Sequence, residues 1–394
     1  MGSNKKIYTV VIIALLYFAA FLSMGDYNSI GLYVALPCAF IITFISFRAA
    51  RVNNYFNILI ALYFWVFFTA LFSSNFESST LQLKQILGCI IMCYVIGVNA
   101  RDEKTVPWLY IIYLIAYLVS INYIIENVID DIVFGEERIG DEKMNANSMA
   151  YSTFYLTFIF FIFGEIFKKK WLRNIFRFLF FGIIPLSFWL ALVTASRQMM
   201  VIQVPLIIIL LILRYWKFGN KRSKFALVTA LSCMAILAFH FYYSVFEDSL
   251  LVERSKNISG DARLVLIEET INMGFRNPII GVGPGCVQLY TTELTFAHNT
   301  YLELFAGTGI IGMILFVILL LKYLVAQYKR YSIYKDKMYL YFAVFGVFYI
   351  LDQFFYVFYY SLYLISFFIL VSTHSETYHQ SRKKVPYDVN LIRE

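Results

Sequence analysis

The chain has 394 residues, of which 60% are hydrophobic and 15% charged, and its formal net charge is +8. Apolar runs of about twenty residues recur from end to end, and about twenty residues is the length that a helix needs to cross ~30 Å of hydrocarbon. This pattern excludes a soluble globular enzyme and predicts an all-α, multi-pass membrane protein. The basic charge therefore indicates membrane lipids with anionic headgroups as partners, and no nucleic acid.

The apolar runs, read in chain order, predict about twelve transmembrane helices. They lie at 7–23, 28–47, 54–72, 82–99, 106–125, 147–166, 178–195, 198–213, 225–243, 300–321, 338–351 and 354–372. The aromatic content of 19% is expected to come from Phe, Tyr and Trp side chains that face lipid and the membrane–water boundary. The whole chain, 1–394, is thus predicted to be a single integral membrane domain.

The distribution of Lys and Arg predicts the orientation of these helices. With a cytoplasmic N-terminus, 25 of the 33 basic residues fall on the cytoplasmic side and 18 of the 25 acidic residues fall on the outer side. An excess of Lys and Arg on short cytoplasmic loops is the usual bias of membrane proteins. We therefore expect both termini in the cytoplasm and an outer face with a net charge near −10.

The five cysteines predict neither a disulfide framework nor a zinc site. Four of them, Cys38, Cys89, Cys93 and Cys233, fall within predicted spans, Cys286 falls outside, and no CxxC pair occurs. Cys89 and Cys93 lie on one helical face, and we expect them to pack in the core without a bound metal.

Three segments of the predicted outer face are more than short connections: 126–146, the tight TASRQ turn at 194–198, and the long loop 244–299 between the ninth and tenth spans. Loops longer than ~15 residues are usually functional or disordered. In the long loop, DARLVLIEETINMGF places Leu264, Ile267 and Ile271 on one helical face. That pattern predicts an amphipathic helix on the outer membrane surface.

The RNPIIGVGPG segment that follows this helix is rich in turn-forming residues. GVGPG resembles a phosphate-binding glycine loop at first sight. However, it lacks the preceding strand, the following helix at the required spacing and the GK[ST] sequence of such loops. We therefore expect it to fold the chain back toward His298.

The positions of ionisable residues help to separate an enzyme from a transporter. A coupled transporter or a flippase needs polar or cationic groups near the middle of its spans, because these groups line the transport path. Glu165 and Asp352 instead lie near span ends, and the notable residues of the outer face are Arg138, Asn147, Arg197, Arg263 and His298. We expect chemistry at the outer leaflet interface, with a transporter as the alternative.

Arg197, in the turn before the eighth span, has two interpretations that the local sequence leaves open. Its side chain can snorkel to headgroup phosphate, as arginines at helix ends do. Alternatively, its planar guanidinium grips a lipid-linked phosphate through two parallel hydrogen bonds.

His298 is the histidine that the predicted topology places outside both membrane and cytoplasm, since His240 falls in the ninth span and His374 and His379 fall in the C-terminal tail. A lone histidine is more often structural than catalytic. Its neighbours favour catalysis, because Asn299 is a strong helix N-cap residue and Glu303, near the first turn, can pair with the imidazole and raise its basicity.

These motifs together resemble the O-antigen ligase and polymerase superfamily of bacterial envelope enzymes. DAR at 261–263, RNPIIGVGPG and AHNTYLELFAGTGIIG resemble its outer-loop signature, and the SR of TASRQ resembles its earlier arginine motif. ERIGDEKMNANSMAY, from Glu137, is similar to its Arg-to-Asn segment. Order and spacing match across most of the chain, although QMM after SR departs from the more usual small residues and the first five spans carry no recognisable motif.

The resemblance implies a membrane glycosyltransferase fold in the bacterial inner membrane, with the loop 244–299 and the active site facing the periplasm. It implies transfer of a glycan from an undecaprenyl diphosphate carrier to an acceptor hydroxyl, without a nucleotide sugar, a cofactor or an essential metal. By position it implies that His298 is the catalytic base and that Arg197 and Arg263 contact the diphosphate. The expected substrate-binding residues are Arg138, Asn147, Asn299 and Glu303. The expected partners are the undecaprenyl-diphosphate-linked oligosaccharide, membrane lipids and a chain-length regulator protein.

The acidic outer face favours a polymerase over a ligase within this superfamily. A ligase must accept the heavily phosphorylated lipid A core, which the ENVIDDIVFGEE stretch at 126–137 would repel. A polymerase accepts another lipid-linked repeat unit, whose sugar end can be neutral. We therefore predict an O-antigen, or surface polysaccharide, polymerase, with an O-antigen ligase as the alternative. A lipid-linked oligosaccharide flippase, which shares the substrate, and a non-catalytic sensor or scaffold are less favoured.

Overall fold

The computed structural model describes residues 53–128, 146–193, 197–215 and 262–384, together with position 228. The predicted spans at 7–23, 28–47 and 225–243 lie outside the described residues. Among the described residues the secondary structure is helical and contains no strand, which agrees with the predicted all-α class.

The helices begin and end as follows: α1 Asn54–Ala70, α2 Phe76–Asn99, α3 Val106–Val128, α4 Ala146–Ile166, α5 Lys170–Val193, α6 Arg197–Tyr215, α7 Ala262–Arg276, α8 Thr300–Tyr334, α9 Lys337–Asp352 and α10 Leu362–Lys384. A 3₁₀ turn covers Val287–Leu289. The helix α8 packs on α1, α7 and α9, while α4 packs on α3, α5 and α6.

Two helices of the described residues, Phe76–Asn99 and Thr300–Tyr334, have the length and composition needed to cross a membrane. Shorter apolar helical segments lie at Asn54–Ala70, Val106–Leu118, Thr153–Ile166 and Val201–Tyr215. The count of twelve spans and the orientation of the chain stay predictions.

The predicted bounds of the last span, 354–372, are wrong. Residues 353–361 form turns, and α10 runs from Leu362 to Lys384, which is eight residues later at its start and twelve at its end. The reason is Thr300: its hydroxyl donates to the carbonyl of Tyr356 and accepts the N–H of Phe358, at 2.8 and 2.9 Å. The predicted tail residues His374 and His379 consequently lie on a helix.

Tyrosine and phenylalanine build much of the interior, which corrects the expectation that aromatic side chains mainly face lipid. The largest fully buried side chains include Tyr63, Tyr110, Tyr113, Tyr155, Tyr323, Phe154, Phe158 and Phe161. The hydroxyl of Tyr63 donates to the carbonyl of Tyr359 at 2.7 Å, and such bonds remove the cost of burying a phenol. Some aromatic side chains do lie outside, since Phe64 and Phe178 are 72% and 76% exposed.

Contacts between helix termini define two ends of the bundle. At the first, which we call the His298 end, the hydroxyl of Ser79 donates to the carbonyl of Pro284 at 2.7 Å. At the other, which we call the Arg214 end, Asn53 Nδ2 donates to Thr373 Oγ1 at 2.6 Å and Thr377 Oγ1 donates to the carbonyl of Ala100 at 3.0 Å.

The helices α4 and α6 run parallel, with their N-termini at the His298 end. Gln203, in the first half of α6, donates to the carbonyl of Thr153 in the first half of α4 at 3.3 Å. Arg214, near the end of α6, lies 2.9 Å from Glu165 near the end of α4.

The helix α9 runs antiparallel to α6 and to α8. At the His298 end Gln198 donates to Asp352, and at the Arg214 end Lys337 Nζ donates to the carbonyl of Leu213 at 3.1 Å. Thr300, the first residue of α8, donates its N–H to the carbonyl of Gln353 directly after α9, at 2.9 Å. The N-termini of α4, α6 and α8 are therefore together at the His298 end.

Candidate functional site

His298 lies directly before α8 in a backbone conformation that residues with a Cβ rarely adopt. Its φ is +51°, in the left-handed region. The next residue, Asn299, caps the helix: its Oδ1 accepts the N–H groups of Tyr301 and Leu302 at 3.0 and 3.1 Å. The predicted N-cap is thus confirmed, and it fixes the direction in which the chain enters α8.

Glu303 is buried, with 3% of its surface exposed, and its Oε2 accepts the backbone N–H of Ala297 at 2.9 Å. The carboxylate therefore binds the residue that precedes His298. The pairing of Glu303 with the imidazole stays a prediction.

The imidazole of His298 is partly buried beside an aromatic wall. Its ring centroid lies 4.3 Å from that of Phe296, and Phe296 in turn meets the ring of Tyr356 edge-on at 5.5 Å. Tyr356 belongs to the turns after α9, so this wall joins the loop before α8 to the end of α9.

The GVGPG segment pairs with a break in α8. Gly309 interrupts the helix with φ 75° and ψ −179°. Beside this break the N–H of Val282 donates to Ala306 O and the N–H of Gly283 donates to Gly307 O, each at 2.9 Å. Because these amides are already bonded, the segment is a fold-back, as predicted, and not a phosphate cradle.

The other side of the same segment packs on the turn between α1 and α2. The N–H and the hydroxyl of Ser74 both donate to the carbonyl of Val282, at 3.0 and 2.9 Å. Gly283 has a φ of +110°, and a Cβ there would lie 2.3 Å from Ser73 Oγ. The buried thiol of Cys286 lies 3.1 Å from the same oxygen, so this cysteine, which falls outside the predicted spans, packs in the interior.

The predicted loop helix is confirmed as α7, but its buried face differs from the predicted stripe. Leu266, Thr270 and Met273 are buried, whereas Leu264 is 48% exposed. Gly274 lets the ring of Phe305 approach, since a Cβ at that position would lie 2.4 Å from the ring. Leu264 thus lies on an exposed side of α7, and the contact of the stripe with the membrane surface stays a prediction.

The carboxylate of Glu269 ties α7 to the loop that leads to His298. It accepts the N–H of Thr292 at 3.0 Å and also the hydroxyl of Thr292. These two hydrogen bonds stabilise the charged form, so they hold the pKa of Glu269 below its usual value.

The other predicted site residues are distributed over several helix starts. Arg197 is the first residue of α6 and Asn147 is the second of α4, both at the His298 end. Arg263 is the second residue of α7 and is partly exposed. Arg138 lies outside the described residues, as do positions 194–196 of the TASRQ turn.

The three parallel helices direct their N-termini toward this end. A helix N-terminus carries roughly half a positive elementary charge and unpaired N–H groups, so it attracts anions. Here such termini carry Asn147, Arg197 and His298. The starts of α6 and α8 also contact the same element, the end of α9. Gln198 binds Asp352, the last residue of α9, and Thr300 binds Gln353, the next residue.

Gln198 and Asp352 are buried polar residues of this end that the sequence reasoning did not assign to the site. They line a small cavity with Phe154, Met199, Ile202 and Gln203. Gln198 Oε1, Gln203 Oε1 and Asp352 Oδ2 are buried there without a hydrogen-bond partner among the described residues. The signal in the sequence was weak: a glutamine directly after the SR motif and an acid at the end of a span.

Among the described residues, no group of three or more His, Cys, Asp and Glu side chains is placed to hold a metal ion. The expectation of a metal-independent reaction therefore rests on the resemblance, and a chelator experiment below tests it.

Two comparisons with known proteins bear on this site. Residues 181–317 match a protein-family model described as O-Antigen ligase, and this range contains Arg197, Arg263 and His298. The chain is also similar to the ComP-specific O-oligosaccharyltransferase of Acinetobacter baylyi, with 25% identity over 281 residues. That similarity covers 66% of this chain and 50% of the relative, so the chain spans about half the length of the relative it matches.

Proposed function

We propose that this chain, whose resemblance to the O-antigen ligase and polymerase superfamily the two matches confirm, transfers a glycan from an undecaprenyl diphosphate carrier to an acceptor hydroxyl. In its finer form the proposal is a polymerase, whose acceptor is another lipid-linked repeat unit. The observation that carries it is the meeting of three helix N-termini, with Asn147, Arg197 and His298, at one end of the bundle.

In the proposed reaction the acceptor oxygen bonds to the anomeric carbon while the bond from that carbon to the diphosphate oxygen breaks. The departing diphosphate keeps the electron pair, so negative charge grows on it in the transition state. Arg197, Arg263 and the helix N-termini are suited to stabilise that charge, because guanidinium groups bind phosphate oxygens in a bidentate way.

The acceptor hydroxyl must lose its proton as it attacks. A histidine titrates near neutral pH, so the neutral imidazole of His298 can accept this proton. The partial exposure of His298 supports this role, because a hydroxyl from solution or from the membrane surface can approach the ring.

A ligase is the second candidate, because the matching family model is described as O-Antigen ligase. The acidic stretch at 126–137 favours the polymerase by repelling a phosphorylated acceptor. Donor, base and diphosphate site are the same in both candidates, which differ in their acceptor. The experiment below supplies a lipid-linked repeat unit as the acceptor, so it tests the polymerase.

The test uses the purified chain in lipid vesicles with an undecaprenyl-diphosphate-linked repeat unit and no nucleotide sugar. We expect lipid-linked glycans of two or more units, the same yield in the presence of EDTA, and no product from His298→Ala. The matched control is His379→Gln at the Arg214 end, which should keep wild-type yield. His379 Nδ1 lies 3.2 Å from the Tyr339 hydroxyl, and a Gln side chain can also hydrogen-bond this hydroxyl. Wild-type yield from His298→Ala would exclude this base, and movement of unchanged donor across the vesicle membrane would favour a flippase.

A further inference from the structure

The backbone of His298 needs support from its surroundings. At φ +51° the Cβ of an L-residue crowds the neighbouring carbonyl, so the conformation persists where other contacts hold it. Without these contacts the backbone of His298 would move to a more favourable conformation, and the imidazole would point in another direction.

The residues after His298 are held by the start of α8. Asn299 accepts two N–H groups of the first turn, and Thr300 bonds to the turns that follow α9. Both attachments act on the C-terminal side of His298.

The residue before His298 is held by Glu303. Side chains of a helix point back toward its N-terminus, so Glu303, one turn into α8, reaches past His298 to the N–H of Ala297 at 2.9 Å. A capping box uses a similar reach, in which an acid of the first turn binds the N–H of the cap residue. Here the bond closes a loop around His298, from Ala297 to Glu303.

The bond is buried, since Glu303 and Ala297 are 3% and 2% exposed. A buried amide N–H that loses its acceptor is costly, so the chain before His298 would move to find another partner. That movement would change the conformation of His298 directly.

We propose that Glu303 is a positioning residue for the proposed base: by accepting the N–H of Ala297 it holds His298 in the left-handed conformation and so sets the direction of the imidazole. This inference rests on the proposed function, and it assigns Glu303 a role on the backbone in place of substrate binding.

The test separates hydrogen-bond acceptance from charge. Glu303→Gln keeps an oxygen that can accept the N–H of Ala297, so kcat should stay within about threefold of wild type with an unchanged pH profile. Glu303→Met keeps the length without an acceptor, so kcat should fall about 100-fold, the loss that a 1 Å misplacement of a reacting group can cause. The KM for the lipid-linked donor should stay constant, because the proposed diphosphate contacts lie elsewhere.

The matched control is Tyr323→Phe. It removes another buried hydrogen bond of α8, from the Tyr323 hydroxyl to the carbonyl of Phe342 at 2.9 Å, and should leave kcat unchanged. A Gln variant as inactive as the Met variant, with a shifted pH profile, would show that Glu303 acts on the imidazole by its charge and would overturn positioning. Full activity of the Met variant would overturn it as well.

A readout without turnover keeps the inference independent of the proposed reaction. Diethyl pyrocarbonate modifies accessible imidazoles, and mass spectrometry gives the rate for each histidine. We expect Glu303→Met to change the rate at His298 and to leave the rate at His379 as in wild type, while Glu303→Gln matches wild type at both. Equal rates at His298 in all three proteins would overturn the positioning role even if the transfer reaction is confirmed.

Discussion

Thr300 joins the first turn of α8 to the turns between α9 and α10 through three hydrogen bonds. These bonds use the carbonyls of Gln353 and Tyr356 and the N–H of Phe358, so this segment cannot also form the backbone pattern of a helix. The same bonds place the start of α8 beside Asp352 and its partner Gln198. Thr300 thereby links the start of α8, next to His298, through the end of α9 to the N-terminus of α6, where Arg197 lies.

The proposed diphosphate contacts predict an ordered series of activities at residue scale. Arg197→Ala and Arg263→Ala should each abolish transfer, whereas the Lys variants, which keep the charge but lose the planar fork, should retain part of it. Initial rates with the lipid-linked donor measure this series. Equal rates for the Ala and Lys variants would show that the positive charge is not what these positions contribute.

The sequence predicted the cap at Asn299 because N-cap preference depends on a few neighbouring residues. It did not predict the bond from Glu303 to Ala297 or the pair Gln198–Asp352. The first depends on the path of the loop before α8, and the second joins residues that are 154 positions apart. Contacts of this kind follow from the packing of helices and leave no periodic pattern in the sequence.

The break in α8 at Gly309 is the main structural feature at the scale of elements. It lies nine residues into the helix, or about 13 Å along it at about 1.5 Å per residue. There the N–H of Ile310 donates to Pro278 O at 2.8 Å, and the indole N–H of Trp65 donates to Thr308 O at 2.8 Å. The loop after α7 and the helix α1 thus supply the partners that the interrupted helix lacks.

Gly309→Ala should lower the melting temperature strongly. The new Cβ would lie 1.9 Å from Ile279 O, and a backbone at φ 75° and ψ −179° is essentially restricted to glycine and costs a residue with a Cβ about 1–3 kcal/mol. The matched control is Gly182→Ala in α5, where a Cβ meets nothing within 4 Å and Ala is the better helix former by roughly 0.5–1 kcal/mol. Thermal unfolding in detergent measures both variants, and an unchanged midpoint for Gly309→Ala would show that the break is not required.

Helix positions were predictable from apolar runs, and most bounds of α1 to α6 agree within a few residues. Which side of each helix faces the protein interior was not predictable. These helices are apolar on all sides, so their sequence patterns do not distinguish a side that packs on protein from one that faces lipid. That is why buried tyrosines such as Tyr110 and Tyr155 were expected at the membrane boundary. The end of α8 was missed for a related reason, since its last turns to Tyr334 are polar but remain helical.

In the described part of the molecule, the ion pairs and most of the predicted site residues lie at opposite ends of the helix bundle. The ion pairs of Glu165 with Arg177 and Arg214, and of Asp336 with Arg382, lie at the Arg214 end. Of the predicted site residues, Asn147, Arg197, His298, Asn299 and Glu303 lie at the opposite end, where the glycine-rich segment folds back on α8. This separation agrees with a protein that interacts with lipid headgroups on one side and carries out chemistry on the other.

The predicted orientation gives a labelling result at the scale of the whole molecule. A membrane-impermeant thiol reagent applied from outside should label Glu293→Cys, an exposed position of the loop before His298, and should not label Lys383→Cys at the end of α10. The wild-type chain supplies the background, since Cys89, Cys93 and Cys286 are buried. Labelling of the second variant alone would reverse the topology and place the candidate site in the cytoplasm.

Deletion of the gene in its host separates polymerase from ligase, because the two enzymes use the same donor but leave different products on the cell surface. The predicted outer face has a net charge near −10, and the stretch 126–137 contributes five of its acidic residues, which would repel a phosphorylated lipid A core. A repeat unit with a neutral sugar end meets no such repulsion. We therefore expect electrophoresis of the lipopolysaccharide from the deletion strain to show core that carries a single repeat unit, and wild-type chain lengths when the gene is restored. Bare core, together with full-length glycan retained on the lipid carrier, would instead identify the ligase. In that case the acidic loop would have to lie away from the path of the acceptor.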